Sequence, residues 1–238
     1  MSAEALDRAR ARLIVALDVP DRESALALAE RLAGHVGMLK IGLQLFVAEG
    51  PAIVRELRER HPELEIFLDL KLHDIPNTMA GAINSARSLG ARFLTVHAGS
   101  GVAHLRRCVD EAGEAGGILA VTVLTSQDEQ ACREAGHTRS PAELVVMRAE
   151  AAVAAGCTGI VCSGQELGAV NEVAPKLFKI VPGIRPAGSA VGDQKRVMTP
   201  AKAIAAGATH LVVGRPIRNA EDPAAAADAI VAEIASAL

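Results

Sequence analysis

Apolar residues along this chain gather into eight short runs: RLIVALDV (residues 12–19), MLKIG (38–42), EIFLDLK (65–71), RFLTVHA (92–98), ILAVTVLT (118–125), GIVCS (159–163), FKIVPGI (178–184) and HLVVGRPI (210–217). Each is nearly continuous in apolar residues instead of alternating, the pattern of parallel strands covered on both faces. Between them lie stretches such as DRESALALAERLAGH and TPAKAIAAGA, whose helix formers and terminal glycines predict helices. Eight strand–helix units without a linker or a break in composition predict one closed (β/α)8, or TIM, barrel, a single α/β domain over residues 1–238. An open doubly wound sheet is the alternative. It ordinarily carries a glycine-rich phosphate loop after the first strand, and ALDVPDRES has none.

Composition narrows the function class. Half of the residues are hydrophobic, 22% are charged and the formal net charge is −3, so neither disorder nor general attraction to nucleic acid is expected. A small discrete substrate is the expectation. Cys108, Cys132, Cys157 and Cys162 show no C-x-x-C pairing or regular spacing, which argues against a disulfide framework or structural zinc and for reduced, buried thiols. MSAEALDRARAR lacks an apolar core of signal-peptide length, and no later run approaches ~18 uninterrupted apolar residues. A soluble, cytoplasmic protein with no membrane partner is expected.

Barrel chemistry sits at the C-terminal ends of the strands, and polar residues collect there. The first strand ends in Asp18, the second contains Lys40, the third ends in Asp69 and Lys71, the fourth in His97 and the fifth in Thr125 and Ser126. In IFLDLKLHDIPNT (66–78), residues two apart on a strand share a side, so Asp69 and Lys71 are expected to point together, with Asp74 in the loop above. Carboxylates beside an ammonium favour its charged form. A lysine so placed is suited to donating a proton or stabilising an anion, not to forming a Schiff base. A buried ion-pair network bracing the barrel rim is the competing reading of the same cluster.

The ends of the last two strands, VPGIRP and VVGRPI, fall where barrels commonly hold phosphate. Gly214 lets the backbone approach an anion and Arg215 offers a bidentate fork. Residues 182–200, PGIRPAGSAVGDQKRVMTP, are too long and glycine-rich for an ordinary connection and read as a lid or a surface loop. Its polar members are Gln194, Lys195 and Arg196. His73 and His97 are read equally well as structural or as site residues.

FLDLKLHDIPNT, with ALDV, KIG, VTVLTS, VPGIRP, DQKR and VVGRPI in this order, resembles the orotidine 5′-phosphate decarboxylase family from the first strand to the last. The D-x-K-x-x-D-I-x-x-T pattern is specific to that family. The resemblance implies conversion of orotidine 5′-monophosphate to UMP and carbon dioxide, closing de novo UMP synthesis, with no cofactor and no metal. It also implies roles by position. Asp18 and Lys40 contact the ribose hydroxyls, Asp69 sits beside the substrate carboxylate, and Lys71 protonates C6. Ser126, with Thr125, reads the pyrimidine, while Gln194, Gly214, Arg215 and Arg185 surround the phosphate. Asp74, Ile75 and Thr78 are implied to cross a homodimer interface into the neighbouring site.

Two alternatives stand beside this reading. Sugar-phosphate decarboxylases and aldolases resembling 3-keto-L-gulonate 6-phosphate decarboxylase share D-x-K-x-x-D but use Mg²⁺ and typically continue into Ala-Gly, where this chain has IPNT. A non-catalytic nucleotide-binding barrel could dispense with Lys71 or Arg215, and both are present. With no tyrosine or tryptophan and four phenylalanines, base recognition is expected to rest on hydrogen bonds and aliphatic packing.

Overall fold

The structure, a computed structural model, describes residues 2–186 and 198–238. Its strands are Leu13–Ala16 (β1), Met38–Gly42 (β2), Glu65–Leu72 (β3), Phe93–His97 (β4), Gly117–Val121 (β5), Gly159–Val161 (β6), Phe178–Val181 (β7) and His210–Val213 (β8). All neighbouring pairs are parallel, and β8 returns to β1 to close the barrel in sequence order. The eight runs read from the sequence are therefore the eight staves.

Helices cover the outside. An N-terminal helix, Ala3–Arg10 (α1), precedes the barrel, and Arg22–Leu32 (α2), Leu43–Arg60 (α3), Pro76–Arg87 (α4) and Val102–Ala112 (α5) follow the first four strands. Glu129–Glu134 (α6) and Pro141–Ala155 (α7) follow β5, Leu167–Val173 (α8) follows β6 and Pro200–Ala205 (α9) precedes β8. Arg215–Arg218 (α10) and Pro223–Ala235 (α11) complete the chain. Local chemistry sets their starts: Asp21 accepts from the Ser24 amide at the head of α2, and Ser140 and Glu143 form a reciprocal capping box on α7. Gly50, at φ 63°, kinks α3 next to Pro51.

Each strand is apolar on both faces because it serves two cores. Leu13 and Val15 of β1 face the helices, in a large cluster that includes Leu28, Leu32, Ile230 and Ile234. Ile14 and Ala16 face inward, joining Met38, Phe67, Phe93, Leu119, Ile180 and Val212 in a separate interior cluster. Phe67, Phe93 and Phe178 pack edge to face there, with ring centroids 6.3 and 5.9 Å apart, and His210 packs against the last two. Gly117 makes room for this packing, since a Cβ there would stand 2.8 Å from the Phe93 ring. Burial holds His210 down at about 4, with the cations of Arg12 and Arg92 adding to the effect, so it packs as a neutral ring.

Candidate active site

Above the phenylalanines, at the C-terminal ends of the strands, opens a cavity of about 460 Å³. Phe67 forms part of its base. Asp18, Lys40, Asp69 and Lys71 line it from the β1–β3 side, and Thr125, Arg185, Gly214 and Arg215 from the β5 and β7–β8 connections.

The four charged residues on the first side alternate in sign. Lys40 Nζ lies 3.0 Å from Asp18 Oδ1 and 3.6 Å from Asp69 Oδ2, and Lys71 Nζ lies 2.8 Å from the same Asp69 oxygen. Burial raises the Asp69 carboxyl, but the ammonium groups of Lys40 and Lys71, helped by hydrogen bonds from Lys71 and Thr95, bring it below the usual carboxylate range. Asp69 is thus a buried anion shared by two cations. Gly42 gives this array its space: a Cβ there would approach Lys40 Nζ to 2.8 Å and Asp18 Oδ1 to 3.0 Å.

Asp69 and Lys71 meet as the sequence predicts, though not by simple strand alternation. Leu68 pairs with Leu94 but Leu72 pairs with Val96, so β3 carries two more residues than β4 across this interval. The surplus is taken up in a bulge where Lys71 adopts φ 49°, a left-handed conformation found at no other non-glycine among the described residues. Thr95, fully buried on β4, accepts the Lys71 amide at 2.8 Å and donates to Asp69 Oδ1 at 3.1 Å.

On the opposite side Gly214 follows β8 and Arg215 begins α10. A Cβ at Gly214 would meet only Ala16 Cβ at 3.7 Å, so the protein's own packing does not require glycine there. Arg185 is buried and donates to its neighbour's carbonyl, Ile184 O, at 2.8 Å. Two polar side chains of the cavity were not singled out in the sequence, Gln44 and Arg218; the latter donates to the Asp18 carbonyl. Cys162 also lines the wall, and burial pushes its thiol up to about 12, leaving an uncharged surface.

Several other expected residues lie apart from the cavity. Thr125 lines it, but Ser126 is exposed and does not. Asp74, Ile75 and Thr78 are exposed beyond the end of β3, with Ile75 at 66%. His73 sits 2.9 Å from Ser100 Oγ and lies tilted against His97 with ring centroids 5.4 Å apart, and neither ring lines the cavity. Burial, then His73, Lys71 and Arg148, hold His97 below the usual histidine range against the pull of Asp69. Gln194, Lys195 and Arg196 lie outside the described residues. Among the described residues no three His, Cys, Asp or Glu side chains converge as a metal-ligand set.

Residues 11–230 match the model of the orotidine 5′-phosphate decarboxylase / HUMPS family. The chain belongs to that family. It is 52% identical over 230 residues to the orotidine 5′-phosphate decarboxylase of Rhodopseudomonas palustris (strain HaA2), covering 96% of each chain. Against that of Anaeromyxobacter dehalogenans it is 53% identical over 223 residues, covering 93% of this chain and 97% of the other. The crystal structure of the Lactobacillus acidophilus orotidine 5′-phosphate decarboxylase superposes with a TM-score of 0.83 at 35% identity, over 93% of this chain and 98% of that one. The family match runs through every strand of the barrel, and the acid–lysine array falls within it.

Proposed function

We propose that this chain is an orotidine 5′-phosphate decarboxylase, a carboxy-lyase that converts orotidine 5′-monophosphate to UMP and carbon dioxide. The observation that carries the reading, in a member of this family, is the alternating Asp18, Lys40, Asp69, Lys71 array in a cavity faced by arginines. When the bond from C6 to the carboxylate breaks, carbon dioxide leaves and the electron pair stays on C6, in the plane of the ring, where the pyrimidine π system does not delocalise it. A fixed ammonium at that position stabilises the developing charge and then supplies the proton. Lys71 takes this role, and solvent reprotonates it after turnover. Asp69 holds Lys71 in place and Lys40 in turn braces Asp69, so the orientation of Lys71 costs no reorganisation during the reaction.

The remaining assignments follow the cavity's two sides. Asp18 and Lys40 take the ribose hydroxyls, and Thr125 on the cavity wall reads the base, with Ser126 reaching it from the exposed rim beside Thr125. Arg215 takes the phosphate with Gly214, Gln194 and Arg185. Phosphate binding remote from C6 supplies the energy that places the ring against Lys71. No cofactor enters this chemistry. Asp74, Ile75 and Thr78 are assigned to the neighbouring site of a homodimer. In support, exposed Leu43 (53%) and Val102 (38%) begin α3 and α5, Ile75 (66%) lies in the connection after β3, and Val47 (80%) lies one turn beyond Leu43. Such an apolar rim beside the cavity suits a two-fold contact. Four buried free cysteines suit a reducing, cytoplasmic setting.

A Mg²⁺-dependent sugar-phosphate enzyme is the weaker reading, because Asp18 and Asp69 are both paired with lysines that a cation would have to displace. Loss of the absorbance of orotidine 5′-monophosphate on adding the purified protein with EDTA present tests the choice. Turnover that survives the chelator and yields UMP supports the proposal. Turnover restored only by Mg²⁺, or no turnover, refutes it.

A further inference from the structure

Thr95 combines complete burial, a hydroxyl and two partners from the same catalytic pair. The bulge in β3 removes the Lys71 amide from the strand ladder, and Thr95 Oγ1 accepts it at 2.8 Å. The single hydroxyl proton has two acceptors in range, Asp69 Oδ1 at 3.1 Å and Leu68 O at 3.5 Å, and the shorter contact goes to the carboxylate. Asp69 is thereby divided: Oδ1 is held by Thr95, and Oδ2 faces the ammonium groups of Lys71 and Lys40 at 2.8 and 3.6 Å. Thr95 does not line the cavity, so it acts through these neighbours alone.

We propose that Thr95 is a positioning residue for decarboxylation, which pins both the left-handed backbone of Lys71 and the carboxylate of Asp69 so that the ammonium is held where C6 arrives. This rests on the proposed activity. The physical reason is that a left-handed lysine is disfavoured unless its surroundings over-determine it, and one hydroxyl here fixes both the amide and the counter-charge. An aliphatic residue of the same shape would leave the amide unpartnered and let the bulge relax, moving Nζ relative to the substrate.

Thr95→Val and Thr95→Ser distinguish this role from simple packing. Valine keeps the volume and loses the hydroxyl, whereas serine keeps the hydroxyl. In Thr95→Val, kcat should fall about 100-fold, the scale of a misplacement near 1 Å, while UMP affinity by calorimetry stays within a few-fold of wild type. The acid limb of kcat should move to higher pH, because Asp69 loses a donor to its charged form. Lys40 on β2, Lys71 on β3 and His97 on β4 also face Asp69 and are the same in both variants. Thr95→Ser should restore kcat and the acid limb. If valine does not fold, Thr95→Cys keeps the volume with a weak donor and is read the same way.

Wild-type turnover is measured first and tests the activity itself, so a failure there is separate from a failure of Thr95. A crystal structure of the valine variant gives a reading without substrate: Lys71 should leave positive φ. A wild-type kcat and acid limb in Thr95→Val would overturn the proposal. So would serine performing no better than valine, UMP affinity falling in step with kcat, or an unchanged Lys71 backbone.

Discussion

Asp69→Asn and Asp18→Asn remove carboxylate charges at similar distances from an ammonium, yet they should differ sharply in cost. Asp69 Oδ2 is 2.8 Å from Lys71 and 3.6 Å from Lys40, and the Asp69 side chain is 13% exposed. At an effective dielectric of about 20 these contacts are worth roughly 6 and 5 kcal/mol before desolvation. Replacing the charge leaves two cations facing each other without their shared anion, and breaking a buried pair in this way typically costs about 3–5 kcal/mol. Asparagine keeps the shape and one acceptor, so about 3 kcal/mol is expected. Asp18 is 3.0 Å from Lys40, but its side chain is 43% exposed and water replaces much of what is lost. There the cost should be under about 1 kcal/mol. Urea unfolding at fixed protein concentration, followed by far-ultraviolet circular dichroism because the chain has no tryptophan or tyrosine, gives both values. At roughly 2–4 °C per kcal/mol, thermal midpoints should fall by about 6–12 °C for Asp69→Asn and by about 4 °C at most for Asp18→Asn. The acid dependence gives a second signature. The folded-state value of Asp69 is lowered, so its stabilisation is fully present above the unfolded value of about 3.9 and is lost as pH falls through the lower folded one. Asp69→Asn should lack that loss. Equal costs at the two positions would refute the argument that burial, and not distance, sets the strength of this array.

Lys71→Ala should abolish decarboxylation while leaving UMP binding measurable by calorimetry; near-normal turnover would remove Lys71 from the mechanism. Arg215→Ala should weaken substrates that carry the phosphate and spare phosphate-free orotidine, since it deletes a charge-assisted contact remote from C6; equal losses on both would make the phosphate assignment wrong. Lys71→Ala and Asp74→Asn chains, dissociated and reassembled together, should recover about a quarter of wild-type activity, because half the dimers are mixed and each then holds one intact site. Recovery no greater than the sum of the two variants, with exchange confirmed, would place Asp74 in its own chain's site.

The barrel was legible because two-sided burial writes itself into each strand: Leu13 and Val15 serve the outer core and Ile14 and Ala16 the inner one, so the run reads as unbroken apolar sequence. Asp69 and Lys71 were legible as charges interrupting such a run at its C-terminal end. Their geometry was not. The bulge that turns Lys71 left-handed depends on the register between β3 and β4, and no local signal marks it, because lysine is not a residue that advertises positive φ. Thr95 was hidden for a related reason: a β-branched residue in FLTVH reads as an ordinary strand former, and only the fold reveals what its hydroxyl reaches across 24 positions to Lys71. Gly42 likewise looks like a helix boundary until Lys40 and Asp18 are found crowding it. Ser126 was placed at a strand end, whereas β5 stops at Val121; Thr125 still lines the cavity and Ser126, one residue on, is exposed.

The phenylalanines inside the staves have a consequence for traffic. Phe67, Phe93 and Phe178, backed by His210, stop the barrel beneath the acid–lysine array, which makes it a cup and not a tube. Among the described residues no route is left down through the barrel, so substrate entry, the escape of carbon dioxide and the departure of UMP all take place on the strand-end side. The enzyme therefore cannot draw substrate in at one end of the barrel and discharge its products at the other.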